Sequence, residues 1–457
     1  MRSLVRGRVW LCFGLAVITA AAAVALLARV DLDTPAAADV RQDTTASTPT
    51  VTTPTTPPPH RGPSHWITSW GAAPQGPSTA TPQAERGFRN QTLRQIVFTS
   101  AGGSQVRVRF TNLFGNRPLR IRGAAVALQQ HGAQLVPGSV RQLHFSGHGS
   151  VTIAPGRERL SDPVRLTVNP LSRLAITLYL ARPTGPATGH ANSREISYAA
   201  RGGHLRQTSA RGYRPTLHNW YFIDSLQTLS PGLDRGAVVA VGDSITAGVG
   251  SSLGADANWP DDLARRLAAQ SGPTLSVVDE GIGGNRVLND SPCCGISAIS
   301  RFGDDVLRQF GVRDVILLEG VNDLGFSQRH DSLSAPHTKV SARQIERGYQ
   351  QIIAQAHHAG LRIFGGTITP FRGARYWTPA AERKREAINR WILHSGAFDG
   401  VINFAAVVAE PGDPERLNPG YDYGDHLHLN NDGYRAMANA IDLRMLLLGR
   451  QSRLDSR

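Results

Sequence analysis

The chain has 457 residues, 40% of them hydrophobic and 18% charged, which excludes a disordered chain and leaves room for two or three domains. Its 49 Lys and Arg against 35 Asp and Glu give a formal charge of +14, nearly all of it from Arg. No basic run is interleaved with aromatics in the manner of nucleic-acid binders, so the charge reads as a solvated surface and nucleic acid is not expected as a partner.

The first segment, residues 1–33, opens with a basic "MRSLVRGRVW" and continues as an uncharged apolar run of about 18 residues, near the lower limit for crossing a bilayer. It reads as a cleaved signal peptide or an uncleaved membrane anchor. In either case the body is expected to be exported: secreted, or tethered on the outer face of the membrane. Residues 34–63 are rich in Thr and Pro and lack large apolar side chains, so they read as an extended linker. In polyproline II geometry, at about 3.1 Å per residue, this linker reaches roughly 90 Å.

Residues 64–230 carry short alternating or β-branched runs separated by Gly, Pro and Asn, the pattern of an all-β sandwich or jelly roll. In "VRVRF", Val106, Val108 and Phe110 point to one face and Arg107 and Arg109 to the other, as in a half-buried antiparallel strand. Trp66 and Trp70, near the start of this region, are expected in the core rather than on a sugar-binding face.

From residue 236 the pattern changes to near-continuous apolar strands alternating with helices. The strands are "GAVVAVGDS", "TLSVVDEG", "RDVILLEGVND", "LRIFGGTITP" and "GVINFAAV". Of the helices, "WPDDLARRLAAQSG" has Pro260 near its start, Leu263 and Leu267 one turn apart, and Gly272 past its end. "SARQIERGYQQIIAQAHHAG" places Ile345, Tyr349, Ile352, Ile353 and Ala356 on one stripe. Together these elements predict an α/β domain over 236–450, with a parallel sheet covered on both faces and ligands bound beyond the carboxyl ends of its strands.

The strand ends concentrate the chemistry. Ser244 follows the first strand in "GDSIT", on an expected strand-to-helix turn. Gly281, Gly283 and Gly284 surround the turn after the second, where backbone N–H groups can approach a ligand closely. Asn322 and Asp323 sit at the tip of the third. A serine is a weak nucleophile without a base, an orienting carboxylate and oxyanion donors. In "YGDHLHLNNDGY", Asp425 and His428 are three residues apart, which sets a carboxylate beside an imidazole. His426 lies at the alternate position. With Asp425 and His428 it could instead ligate a metal, but no third region offers matching ligands. The adjacent Cys293 and Cys294 lack zinc-ligand spacing and are either free buried thiols or a vicinal disulfide; Cys12 lies in the targeting segment.

The four ordered blocks "GDSIT", "GIGGN", "GVND" and "DHLH" resemble the SGNH (GDSL) hydrolase superfamily across about residues 236–450. The resemblance implies a three-layer α/β/α, flavodoxin-like catalytic domain. It makes Ser244 the nucleophile, His428 the base and Asp425 its orienter, with oxyanion donors from the backbone of Ser244 and Gly284 and the side chain of Asn322. It requires no cofactor or metal. Position 246 is Thr, so the Gly-x-Ser-x-Gly elbow of the α/β-hydrolases is absent. The β-rich region resembles, more loosely, accessory domains that precede some secreted esterases of this superfamily. The implied activity is hydrolysis of carboxylic esters on small molecules or polysaccharides, with carbohydrate or cell-envelope acyl esters favoured by the export segment. Two alternatives are a lysophospholipase or lipase acting on lipids, and a carbohydrate-binding protein with a degenerate hydrolase domain.

Overall fold

The computed structural model describes residues 64–78, 81–230, 236–272 and 274–447. The expected export segment, linker and Cys12 lie outside the described residues. Among those described, no helix is long and apolar enough to cross a membrane.

The N-terminal region is built of antiparallel sheets, one of them curled into a half-barrel. One sheet runs in the order His65–Gly71, Ile223–Ser230, Gly103–Thr111, Val164–Val168. The larger one centres on Gln91–Thr99, Ser172–Leu180 and Gly123–His131, with Ser172–Leu180 paired to both neighbours along its length. Val106, Val108 and Phe110 of the first sheet meet Leu93, Val97, Leu174 and Ile176 of the second in one core. Trp70 joins that core and meets Trp220 edge to face.

The opposite face of "VRVRF" departs from expectation. Arg107 and Arg109 do not face solvent: Arg107 stacks over Trp66 at 4.2 Å and Phe310 at 4.5 Å. Arg109 is buried, bonded to Asp224 at 2.7 Å and to the Arg308 carbonyl at 3.1 Å. Phe310 and Arg308 belong to the α/β region, so the partner of this face lies two hundred residues away in sequence, beyond the reach of local periodicity.

The α/β region holds five parallel strands: Ala237–Gly242, Ser276–Gly281, Val312–Leu318, Arg362–Gly366 and Gly400–Ile402. Their spatial order is 2-1-3-4-5, the flavodoxin-like order, in which the switch point lies beside the first strand. Every residue of the first strand is buried, as an apolar central strand requires. The helix Trp259–Ala268 is capped by Asn258, whose side chain accepts the Asp261 N–H. The helix Ala342–His358 starts in a Ser341/Gln344 capping box and buries Ile345, Tyr349, Ile352, Ile353 and Ala356, the predicted stripe.

The second strand forms one edge of this sheet, and the N-terminal region covers it. Ser100 Oγ donates to the Val277 carbonyl and its oxygen accepts the Val277 N–H, while Ser276 Oγ reaches the Thr68 carbonyl. Thr68 and Phe310 exchange a further pair of bonds. At Gly71 a Cβ would lie 2.4 Å from both Glu280 and Val278 side-chain atoms, so only glycine permits this approach. Covered in this way, the edge offers no free strand to another chain.

Candidate active site

Ser244 lies just beyond the carboxyl end of the first strand and is 5% exposed. The expected strand-to-helix turn is a run of turns instead, and the first regular helix begins only at Trp259. Local bonds hold the run: the Asp243 carboxylate accepts the Ile245 N–H, and the Ser244 carbonyl accepts the Val249 N–H. Small residues let the neighbouring strands close in. A Cβ at Gly281 would sit 2.3 Å from the Ala247 nitrogen, and one at Gly242 2.3 Å from the Leu318 carbonyl oxygen.

His428 Nε2 is 2.9 Å from Ser244 Oγ, and His428 Nδ1 is 2.6 Å from Asp425 Oδ2. The other Asp425 oxygen accepts the backbone N–H groups of Leu427 and His428. A carboxylate can only accept here, so Nδ1 carries the imidazole proton and Nε2 presents a lone pair to the serine hydroxyl. Burial works to raise the Asp425 pKa, but the bonds from His428 and the Leu427 amide outweigh it and hold the group at about 2. Asp425 is therefore ionised at any ordinary pH.

His426, two residues earlier, takes a left-handed backbone conformation and turns to a different carboxylate, with Nδ1 2.7 Å from Asp422 Oδ2. Its ring packs against Gly373 and is half exposed. The structure thus separates the two histidines: His428 is brought to Ser244, and His426 is bonded to Asp422.

Gly284 and Asn322, the other two predicted oxyanion donors, follow the second and third strands. Gly284 has φ +76°, and a Cβ there would lie 2.5 Å from Cys294 Sγ. Glycine is required at this position on both counts. Among the described residues, neither the Ser244 N–H nor the Gly284 N–H has a protein acceptor. Backbone N–H groups left without a protein acceptor are free to donate to an anion. The Asn322 side chain is 3% exposed and follows Gly320, whose φ is +119°. Its Nδ2 donates to the Asn285 carbonyl at 3.0 Å, leaving its second hydrogen for a ligand.

Several residues to which the sequence reading gave no role support these donors. Asp323 accepts the N–H groups of Val287 and Leu288 and so ties the segment after Gly284 to the third strand. Burial pushes its pKa up to about 6 despite those bonds. Arg301, fully buried, donates to the carbonyls of Gly242 and Glu280 and to Asn285 Oδ1, joining the ends of the first two strands to the glycine-rich turn. Cys293 and Cys294 form a vicinal disulfide beneath Gly284. The sequence places Asp323 at the strand tip through "GVND" but not its role, whereas Arg301 carries no motif and is recognisable only from the fold.

A family model described as GDSL-like Lipase/Acylhydrolase matches residues 240–436. No curated protein matches the chain. Solved structures similar to it include an acetyl xylan esterase, AlAXEase, at 22% identity and TM-score 0.34, covering 46% of this chain and 100% of that one. An aryl esterase of M. smegmatis aligns at 16% identity and TM-score 0.35, covering 45% of this chain and 95% of that one. A GDSL-like lipase from Bacteroides thetaiotaomicron aligns at 17% identity and TM-score 0.35, covering 46% and 87%.

Proposed function

Because residues 240–436 are a GDSL-like lipase/acylhydrolase (SGNH) domain, we propose that the protein hydrolyses carboxylic esters through an acyl-enzyme on Ser244. One contact carries the proposal: His428 Nε2 sits 2.9 Å from Ser244 Oγ, with Asp425 on the far side of the ring. Ser244 Oγ attacks the acyl carbon while its proton passes to Nε2. The carbonyl oxygen becomes an oxyanion held by the N–H groups of Ser244 and Gly284 and the free N–H of Asn322. The C–O bond to the alcohol then breaks as His428 returns the proton to the leaving oxygen. Water, deprotonated by His428, releases the acid and restores the serine. Asp425 stabilises the transient imidazolium and holds the ring.

The substrate we assign is an acyl or acetyl ester on carbohydrate or cell-envelope material, met by an exported protein. The basic and apolar start of the sequence, the Thr/Pro-rich stretch after it and the β-rich region support that location and substrate class. A p-nitrophenyl ester series from acetate to palmitate tests both levels. Turnover falling steeply beyond short chains is the expected result. A maximum at long chains would replace this substrate class with a lipid, and no turnover of any member would leave a binding protein with an inactive hydrolase domain. A fluorophosphonate probe should label Ser244 in the parent and nothing in Ser244→Ala.

A further inference from the structure

We infer that Tyr376 is a positioning residue for the oxyanion site: its hydroxyl, bonded to Asn322 Oδ1, holds the amide that presents its free N–H to the reacting oxygen. The inference rests on the ester-hydrolysis reading above. The terminal torsion of an asparagine is broad and two-fold, so an isolated amide rocks and can flip end for end. Here the amide is held at two points. At one end Nδ2 donates to the Asn285 carbonyl, which can only accept. At the other the Tyr376 hydroxyl donates to Oδ1 at 3.2 Å.

The first anchor is itself held by hydrogen bonds. Asn285 Nδ2 donates to the carbonyls of Cys294 and Ile296, and Asn285 Oδ1 accepts from Arg301. Two positions on, the Val287 and Leu288 amides are bound by Asp323. The second anchor comes from a different part of the chain, the segment between the fourth strand and the helix Pro379–His394. Tyr376 reaches in from there because the short helix carrying Asn322 ends in Gly325, where a Cβ would lie 2.2 Å from the Tyr376 ring. Phe326 and Phe371 hold the ring edge on and tilted. Burial, followed by the nearby charges of Asp243 and Asp425, raises the pKa of this hydroxyl far above its ordinary value. It therefore remains a donor at every working pH. A donor on Oδ1 also polarises the amide and strengthens the opposite N–H.

Tyr376→Phe tests this, since it deletes one oxygen and keeps the ring packing. We expect the variant to melt close to the parent, with kcat lowered roughly two- to tenfold, the range of one neutral hydrogen bond, and KM little changed. Binding of an alkyl boronic acid, whose tetrahedral adduct places an oxygen in the same site, should weaken by a similar factor. Because the hydroxyl acts through Asn322, Asn322→Ala/Tyr376→Phe should be no slower than Asn322→Ala alone. Unchanged kcat and boronate affinity in Tyr376→Phe, with Asn322→Ala impaired, would overturn the inference and leave the hydrolase reading intact. Losses that multiply in the double variant would overturn it too, because Tyr376 would then act independently of Asn322. Full turnover in Ser244→Ala would remove the reaction itself, and this inference with it.

Discussion

His428 and His426 stand two residues apart, yet their rings meet different carboxylates, Asp425 and Asp422. Only His428 reaches Ser244 Oγ, so His428→Ala should abolish ester turnover while His426→Ala keeps a substantial part of it. Steady-state kinetics on p-nitrophenyl acetate decides this, and equal losses would show that His426 also serves the reaction. The acid limb of the pH profile follows from the same atoms. Asp425 titrates at about 2, far below any working pH, so it cannot set that limb. Activity should fall in a step on acidification, because the base must be unprotonated to accept the proton of serine. A profile of kcat/KM from pH 4 to 9 reads the step, and an Asp425→Asn variant should lose turnover at every pH rather than shift it. The three residues that meet at Ser244 were legible because short, ordered blocks carry them. Tyr376 and Arg301 were not, because their partners lie 54 and 59 residues away and no local pattern records such a pairing.

In the proposed mechanism the glycine-rich turn is the element on which the oxyanion geometry depends. Gly284 meets two separate demands, φ +76° and contact with Cys294 Sγ. Gly284→Ala should therefore cost about 1–2 kcal/mol in backbone conformation alone and displace the N–H besides. We expect kcat to fall about a hundredfold, the scale of a lost oxyanion donor, with a lowered midpoint in thermal melts. An unperturbed kcat in a folded Gly284→Ala would remove this amide from the oxyanion site. The elements themselves were readable to different degrees. Central strands and amphipathic helices declare themselves by apolar runs and 3.6-residue stripes, and four of the parallel strands are found where those runs fall, whereas the run "GVINFAAV" gives a strand only over Gly400–Ile402 and continues as the helix Phe404–Val408. The N-terminal strands were readable on one face only. For Gly103–Thr111 the alternation predicts the core side correctly, but Arg107 and Arg109 meet aromatic and acidic partners that come from elsewhere in the chain.

At the scale of the molecule, the described residues from 64 to 447 fall within one compact unit. The seam between the β-rich region and the parallel sheet carries buried charge. Arg173 bonds to Asp256 at 2.6 Å and lies 4.0 Å from Glu195; these two acids line a cavity of about 60 Å³ together with Trp70, Trp220 and Asp261. Burial first, then the charge of Asp256, pushes the Glu195 pKa up to about 7 against the pull of Arg173. An acid with a raised folded-state pKa holds its proton when the unfolded chain has already released it. Its contribution is thus complete below about pH 4.5 and is lost as pH rises to about 7. Glu195→Gln, which cannot titrate, should lose less thermal stability than the parent between pH 5 and pH 8. Melting curves at the two pH values test this, and parallel declines would free Glu195 of the effect. The close approach at Gly71 has a mechanical consequence. A module joined by a flexible tether searches a volume around its enzyme, whereas this β-rich region is bolted to the rim of the catalytic sheet. Whatever lies against that region is therefore held at one fixed offset from Ser244, as on a ruler rather than a leash.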